Sequence, residues 1–362
     1  MDNNIQSVRF FTGSNSGKGF YSLFDKIYNA ADGWNAFLIK GGPGTGKSSL
    51  MKRAGKILSE KCDVEYIHCS SDPDSLDGVV LPHHKICILD ATSPHALEPK
   101  YPGVCENIVP LGECWNREAM RKVKTEVIAL SNQCSILHAR ARKYISAAAN
   151  MQEDTYRYAL ECVDVGKLAR FASRLCKREL GDVTGKPGSE SMRMLSALTP
   201  RGPMFFADTI EELCPRIYSI EDEYGAVSDL LMQAIREYAI ASGNDIITCI
   251  CPLIPENIEH ILIPEKGIGF ITTNRWHFPV SIPDRRIHIQ RFTDMDRLKL
   301  HKQRISFNRR VIREMLAEAA NMMTQAKQTH DLLERYYINA MDFDMIDEIG
   351  NDLIAEILLM IE

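Results

Sequence analysis

The residues with the clearest chemical signature form a phosphate-binding loop pattern at positions 41–49. This stretch reads GGPGTGKSS and meets every position of the pattern G-x-x-x-x-G-K-[ST]. Glycines let backbone N–H groups close around phosphate oxygens, while Lys47 is expected to reach the β- and γ-phosphates and Ser48 to hold Mg²⁺. The predicted nucleotide-binding residues are Gly42, Pro43, Gly44, Thr45, Gly46, Lys47, Ser48 and Ser49.

The context of this loop separates it from a glycine-rich turn that binds nothing. An apolar run at residues 36–39 precedes the loop, and residues 50–58 follow it with helical spacing. Strand, loop and helix therefore come in the order that a phosphate-binding loop requires.

A second acidic group on the metal side is supplied by Asp90, which ends the apolar run at residues 86–89. Ligands of open α/β sheets bind at the carboxyl ends of the strands, so Asp90 is the predicted second Mg²⁺ ligand. The alternative is a carboxylate that caps the following turn. Residue 91 is alanine, so the glutamate that activates water in many hydrolytic P-loop ATPases is missing. Fast hydrolysis is therefore not expected.

Two further carboxylates, Asp72 and Asp74, lie in the loop after the second predicted strand and should emerge at the same edge of the sheet. They could orient Mg²⁺ or accept a proton from an acceptor hydroxyl or water, so they join Lys47 and Asp90 as candidate catalytic residues. An ordinary Asx/Pro turn explains them equally well. His95 is either a γ-phosphate contact or a loop histidine bonded locally.

The composition is that of a globular protein. The 362 residues are 45% hydrophobic and 25% charged, and the net charge of −5 argues against a surface that binds nucleic acid throughout. The eleven cysteines contain no C-x-x-C pair and are expected to be buried free thiols. Cys249 and Cys251 share a strand face, but no second ligand pair accompanies them. No apolar run approaches about 20 residues, so we expect a cytoplasmic protein without a membrane segment.

The second half of the sequence repeats the first with an offset of about 180 residues. Residues 7–10 recur at 191–194, residues 67–69 at 247–249 and residues 75–82 at 257–264, and His95 recurs as His277. The Gly- and Pro-containing residues 181–190 separate the copies. They predict a first domain at residues 1–182, with the intact loop and a helical arm, and a second at residues 191–362. Because the linker spans at most about 35 Å, we expect an intramolecular pseudo-dimer.

Within each copy, short apolar strands alternate with helical patterns. This predicts an α/β fold of tandem P-loop NTPase-like, mostly parallel sheets flanked by helices, each followed by a long helical arm. The strands of the first copy are predicted near residues 8–11, 37–40, 64–68, 86–90 and 106–109. Apolar residues spaced alternately three and four form a seam along residues 120–148, with a looser seam along 298–326. The stretch around residues 156–175 is the predicted partner of the first arm.

The phosphate loop is lost in the second copy. Residues 222–228 read DEYGAVS where the first copy has residues 41–47, and Thr272 replaces Asp90. Three carboxylates at residues 221–223 would repel a triphosphate, so we expect one nucleotide per chain. With no phosphate to bind, the acidic turn at residues 221–223 is expected to bind backbone amides or a basic residue of the neighbouring copy. The second copy is expected to complete or regulate the first, through Arg201 or Arg275 as cations on the γ-phosphate. Plain structural arginines are the alternative.

Charge is uneven along the predicted helical arms. Basic residues predominate at 117–143 and 297–313, whereas the segment from residue 331 onward is acidic. Basic and acidic helices lying against each other would explain this pattern. The alternative is a surface for a nucleic acid or a protein partner on the basic arms.

These features resemble a family of bacterial tandem P-loop ATPase-like proteins. The resemblance covers nearly the whole chain and is carried by residues 11–15 (FTGSN), 18–21 (KGFY), 41–49, 90–95 (DATSPH) and 101–103 (YPG). It implies ATP binding at the loop with Asp90 on the metal side, and it supplies no substrate. Some family members keep a recognisable loop in both copies, from which the second copy of this chain departs.

Three functions remain open for the intact loop. A slow ATPase acting as a switch or motor is favoured, because GPGTGKS loops are common in mechanochemical ATPases and the arms could transmit motion. A phosphotransferase acting on a small molecule or nucleotide would use Asp72 and Asp74. A nucleotide-gated binding scaffold would bind without turnover. ATP and GTP both fit the pattern.

Overall fold

Two six-stranded mixed sheets flanked by helices make up the protein, which a computed structural model describes over residues 7–278 and 281–362. The first half contains β1 (Ser7–Phe11), β2 (Gly13–Ser16), β3 (Gly19–Ser22), β4 (Asn35–Lys40), β5 (Val64–His68), β6 (Leu76–Leu81), β7 (Ile86–Asp90) and β8 (Glu106–Pro110). The second half contains β9 (Glu190–Arg193), β10 (Ser196–Thr199), β11 (Gly202–Phe205), β12 (Arg216–Glu221), β13 (Ile246–Ile250), β14 (Ile258–Ile263), β15 (Ile268–Thr273) and β16 (Arg285–His288).

The two sheets have the same strand order. The first is ordered β1-β5-β6-β7-β4-β8 and the second β9-β13-β14-β15-β12-β16, while β2-β3 and β10-β11 form separate hairpins. Each strand of the first sheet thus has a counterpart at the same place in the second, as a duplicated unit would have. The five strands predicted for the first copy are confirmed as β1, β4, β5, β7 and β8.

The helices occupy the sheet faces and the connection between the two halves. They are α1 (Lys47–Leu58), α2 (Arg117–Lys122), α3 (Lys124–Leu160), α4 (Val165–Leu180), α5 (Ala207–Leu213), α6 (Ala226–Ala241), α7 (Met295–Lys299), α8 (Lys302–Ile338) and α9 (Phe343–Ile361). Within residues 7–278 and 281–362, none of them combines the length and apolar character needed to cross a membrane.

The sheets are less parallel than the sequence predicted. β6 runs antiparallel to both of its neighbours, β5 and β7, and β14 does the same between β13 and β15. The reason is the length of the connections, since parallel neighbours need a crossover of a dozen or more residues. Residues 69–75 and 82–85 are too short for a crossover, so β5, β6 and β7 form a meander.

A local twofold relation joins the two halves at the ends of β1 and β9. Phe11 N donates to the Met194 carbonyl at 2.8 Å, and Met194 N donates to the Phe11 carbonyl at 2.9 Å. Phe11 lies four residues after Ser7, which pairs with Val64 at the start of β1, and Met194 lies four residues after Glu190, which pairs with Ile246 at the start of β9. Phe11 and Met194 therefore occupy equivalent positions in the two sheets. The sequence alignment of residues 7–10 with 191–194 was therefore wrong by one residue. The alignment of residues 67–69 with 247–249 was wrong by two, because Ile67 and Cys249 hold the same place before the β-bulge of their ladders. Side chains of both halves share one core behind these strands.

The first helical arm pairs with the second arm, and the predicted partner around residues 156–175 is wrong. α3 and α8 lie antiparallel: Cys134 Sγ is 3.7 Å from the Ala326 carbonyl, and Asn308 Nδ2 is 3.2 Å from Thr155 Oγ1 near the other end. α3 continues to Leu160, so residues 156–160 cannot fold back on it. The shared core of the pair comprises Ala141, Ile145, Ala148, Ile312, Leu316, Ala319 and Met323.

Each half ends in a helix that covers the sheet of the other half. α4 places Leu168 and Leu175 in the core of the second sheet, beside Leu231 on α6. α9 places Leu353 and Ile357 in the core of the first sheet, beside residues of α1. The segments 1–182 and 191–362 are thus the repeats of the sequence. In the folded protein, however, the last helix of each repeat, α4 or α9, packs on the sheet of the other repeat.

Candidate functional site

The phosphate-loop pattern lies at the carboxyl end of β4 and leads directly into α1. Gly44 and Gly46 have φ angles of 66° and 82°, left-handed conformations that favour glycine. Gly46 is the N-cap of α1 and offers no side chain to the N–H groups of the first turn. Backbone N–H groups and the positive end of the helix dipole therefore converge at this loop.

Lys47 and Asp90 meet at the loop. Lys47 Nζ donates a hydrogen bond to the Gly42 carbonyl at 2.7 Å and lies 3.7 Å from Asp90 Oδ2. Asp90 ends β7, the parallel neighbour of β4, so both strands deliver their ends to one edge. Its Oδ1 accepts a hydrogen bond from Thr92 N at 2.9 Å. Asp90 therefore caps the next turn with one oxygen and turns the other toward Lys47.

The other predicted loop residues differ in their surroundings. Ser48 Oγ accepts a hydrogen bond from Leu76 N at 3.0 Å, which ties the loop to the start of β6. Thr45 is buried, and its hydroxyl donates to the Gly42 carbonyl at 2.8 Å. Pro43 is half-buried, and Ser49 is exposed on the first turn of α1.

Asp72 and Asp74 lie on the loop between β5 and β6, and each pairs with a cation from the second half. Lys327 Nζ on α8 is 3.2 Å from Asp72 Oδ2, and Arg201 forms an ion pair with Asp74. The hydrogen bond from Arg201 holds the pKa of Asp74 below its usual value. The arginine that the sequence proposed as a finger therefore does reach the first half, where it contacts Asp74.

The C-terminal end of α8 lies directly on the phosphate loop. A Cβ added to Gly44 would come within 2.8 Å of the Glu334 carbonyl oxygen, and one added to Gly42 within 2.9 Å of the Tyr337 ring. These glycines thus serve close packing as well as backbone conformation. Sequence reasoning missed this contact, because it joins residues nearly 300 positions apart.

The corresponding loop of the second half holds a carboxylate of its own. Asp222 is buried, and its two oxygens accept four backbone hydrogen bonds, from Tyr224, Gly225, Val227 and Ser228, at 2.8 to 3.0 Å. The bonds come from the N-terminus of α6 and from the turn before it. The acidic turn thus binds backbone amides, one of the two roles that the sequence left to it.

The structure also corrects the alignment of the two loops. Gly225, the N-cap of α6, has a φ of 86° and matches Gly46, so Lys47 corresponds to Ala226 and not to Ser228. Six residues separate β4 from α1, whereas four separate β12 from α6. The second loop is therefore shorter by two residues.

Arg275 and His95 do not lie on the phosphate loop. Arg275 stays in the second half, where its guanidinium donates to Glu223 at 2.9 and 3.0 Å. His95 is buried, with Nε2 3.1 Å from Asp77 Oδ2 and its ring stacked on Phe24. Burial disfavours its charged form, but the Asp77 carboxylate prevails and raises the pKa of His95 above its usual value.

Comparisons with protein-family models, with curated proteins and with solved structures found no match to this chain. The geometry of the two loops and of the helices that contact them is therefore the basis for inferring function.

Proposed function

We propose that this chain is a tandem P-loop NTPase-like protein that binds one nucleoside triphosphate, ATP or GTP, with Mg²⁺ at residues 42–49. The observation that carries the proposal is Asp222, whose carboxylate is held by four backbone N–H groups in the second-half loop. A loop of this geometry is an anion site. The intact loop has no carboxylate of its own, is two residues longer and adds Lys47, which favours a larger external anion.

The residues around the intact loop also fit a hard divalent cation. The Ser48 hydroxyl and the Asp90 carboxylate are oxygen donors of the kind that Mg²⁺ prefers, and both lie at the same sheet edge as Lys47. When bound there, Mg²⁺ would neutralise phosphate charge. Lys47 would move its donated hydrogen bond from the Gly42 carbonyl to a phosphate oxygen.

Slow turnover coupled to α8 is the activity that the surroundings favour. Residue 91 is a buried alanine, so no carboxylate follows Asp90 to activate water. Glu334 on α8 packs on the loop, and Arg309 near the other end of the same helix lies 4.0 Å from Glu223 in the second-half loop. A helix of 37 residues spans about 55 Å at 1.5 Å per residue. A conformational change at the intact loop would thus act on α8, whose other end lies near the degenerate loop.

The phosphotransferase alternative is weakened by the partners of its proposed base. Arg201 lowers the pKa of Asp74, which makes that carboxylate a poorer proton acceptor. Asp72 already pairs with Lys327. The switch is therefore the preferred function of the three.

The test is a nucleotide titration of the full chain with Mg²⁺, using Lys47→Ala and the matched control Lys52→Ala. Lys52 is exposed on the same helix. We expect one nucleotide per chain. Loss of a charge-assisted hydrogen bond should weaken binding by about 1.5–3 kcal/mol, or about 10- to 150-fold, in Lys47→Ala only. Two nucleotides per chain, or equal affinity in the two variants, would refute the proposal.

Turnover and hydrogen exchange then separate the three functions. ADP release without an acceptor, together with altered amide exchange at residues 334–338 on nucleotide binding, is expected for the switch. ADP release that requires an acceptor would instead identify a phosphotransferase. Binding without either would identify a scaffold.

A further inference from the structure

Three side chains that could bind a metal converge in the second half. Glu259 and His260 lie on β14, and His277 lies in the segment after β15. Glu259 Oε2 is 3.9 Å from His260 Nε2 and 3.6 Å from His277 Nε2, and one ligand atom from each residue lies within 4.8 Å of the other two.

A β-bulge explains why neighbouring residues of one strand share a site. Successive strand residues normally point to opposite faces. Here Cys249 pairs with His260 whereas Ile250 pairs with Ile258, so Glu259 is an extra residue in the ladder. A bulge of this kind re-aims the extra side chain, and it brings the Glu259 carboxylate to the imidazole of His260.

The two histidines have little else to bind. His260 is fully buried, and neither of its ring nitrogens has a hydrogen-bond partner among the described residues; Nδ1 of His277 also has none. Buried polar groups nearly always have partners in native proteins. An imidazole nitrogen without a hydrogen-bond partner is free to bind a metal ion.

A thiol completes the donor set. Cys251 follows β13, donates its backbone N–H to the Asn257 carbonyl at 2.9 Å, and lines the same cavity as Glu259 and His277. Two imidazoles, one carboxylate and one thiol are a set that zinc accepts in tetrahedral sites, and a bound cation would deprotonate the thiol. Zinc–nitrogen and zinc–oxygen distances of about 2.0–2.2 Å place ligand atoms about 3.3–3.5 Å apart in such a site, so the observed 3.6 and 3.9 Å require only a small contraction.

We propose that Glu259, His260 and His277, with Cys251 as the fourth ligand, form a binding site for a zinc-class divalent cation. A cavity of about 140 Å³ is lined by Cys251, Glu259 and His277 among others, and it gives the ion a path to the site. The bound ion would fasten the segment that carries His277 to β14. This proposal is independent of nucleotide binding at the intact loop.

The first half provides a natural control for this assignment. Cys69, Asp77 and His95 hold the same positions as Cys251, Glu259 and His277, and ligand atoms of the three first-half residues lie within 4.8 Å of one another. Gly78, however, stands in the place of His260, so that half has one nitrogen ligand fewer. His95 is in addition already paired with Asp77 at 3.1 Å. We therefore assign the metal to the second half alone.

The test uses full-length protein stripped with a chelator, loaded with Zn²⁺ and dialysed before its metal content is measured. We expect one ion per chain in the wild type. His260→Gly, which copies the first half, and His277→Gln should each lower the Zn²⁺ affinity at least about 100-fold, because even losing a partner outside the ligand shell costs 10- to 100-fold. His95→Gln is the matched control and should retain one ion. Thermal unfolding without metal identifies any variant that fails to fold.

Substitution with Co²⁺ tests the ligands spectroscopically and does not depend on activity. The wild type should show the visible absorption of a tetrahedral site with a thiolate charge-transfer band, and Cys251→Ser should lose that band. Zn²⁺ should raise the unfolding temperature of the wild type and of His95→Gln but not that of His277→Gln. The proposal is overturned if no ion is retained, or if His277→Gln and His260→Gly retain it with unchanged affinity. Loss of the ion in His95→Gln alone would place the site in the first half and would equally overturn the assignment.

Discussion

Replacing Asp222 by alanine is the most direct test of what the loop geometry binds. The substitution removes both carboxylate oxygens and leaves four backbone N–H groups at the N-terminus of α6 without their acceptor. Asp222 is 1% exposed, so its donors are largely shielded from water in the wild type. The expected effect is therefore a large loss of stability, from a residue that lies on no catalytic path.

The magnitude follows from the number of donors left unpaired. Each buried polar group without a partner costs about 1–3 kcal/mol, so four would cost about 4–12 kcal/mol if none were rehydrated. Water can enter the space of the lost carboxylate, and single substitutions rarely cost more than about 5 kcal/mol. We expect Asp222→Ala to lower the free energy of unfolding by about 3–5 kcal/mol.

Phosphate should restore part of this loss, because the emptied loop would then resemble the intact one. At a phosphate concentration of ten times the dissociation constant, binding to the folded state adds about 1.4 kcal/mol. The measurement is urea unfolding followed by circular dichroism, in chloride and in phosphate at equal ionic strength. The increase in the free energy of unfolding that phosphate produces in the wild type is subtracted from the increase in Asp222→Ala, since the intact loop can bind the anion in both proteins.

Glu223→Ala is the control for this experiment, because it removes the adjacent carboxylate without touching the amides. Glu223 pairs with Arg275 and is partly exposed, so we expect a loss of at most about 1 kcal/mol and no specific gain in phosphate. The reasoning is refuted if Asp222→Ala costs less than about 1 kcal/mol. It is also refuted if phosphate stabilises both variants equally.

Two further predictions concern the contacts between the halves. Arg193 donates hydrogen bonds to Glu65 at 2.8 and 2.9 Å, and both side chains are buried. Arg193→Met leaves the Glu65 carboxylate buried without its partner, so it should lower the free energy of unfolding in urea by about 3–5 kcal/mol, and adding Glu65→Gln should recover much of that loss. An Arg193→Met variant as stable as the wild type would contradict this prediction. Asp154 accepts a hydrogen bond from Asn308, and this bond lowers the pKa of Asp154. The ionised carboxylate therefore stabilises the folded protein above about pH 4, and this contribution is lost as the pH falls through the lowered pKa of Asp154. Asp154→Asn should therefore lose less stability than the wild type between pH 7 and pH 3, and an equal loss would show that the pair contributes nothing.

The sequence alone determined the features that depend on short stretches of chain. The loop at residues 41–49 was predictable because an apolar strand, glycines and a helical pattern follow one another within about 25 residues. The position of Asp90 at the end of β7 followed from one apolar run. The repeat was also readable, since it preserves residue types in order along the chain. Its register was wrong by one residue at β1 and by two at both β5 and the loop.

The tertiary structure alone decided which elements meet. The apolar seam of α3 showed that one face is buried but not against what, because any helix with a complementary face satisfies the same pattern. Its partner is α8, and α4 and α9 pack on the opposite halves. The approach of Lys327 and Arg201 to Asp72 and Asp74 depends on this exchange.

The same limit applies to the sites. Asp222 reads as repulsive to phosphate in the sequence, and only the fold shows that its carboxylate fills the loop itself. The sequence offered His277 as the counterpart of His95, yet the contact with Glu259 and His260 arises from a bulge and from strand pairing. Periodicity records how a segment is buried, whereas a site requires segments distant in sequence to meet, and that depends on how the whole chain packs.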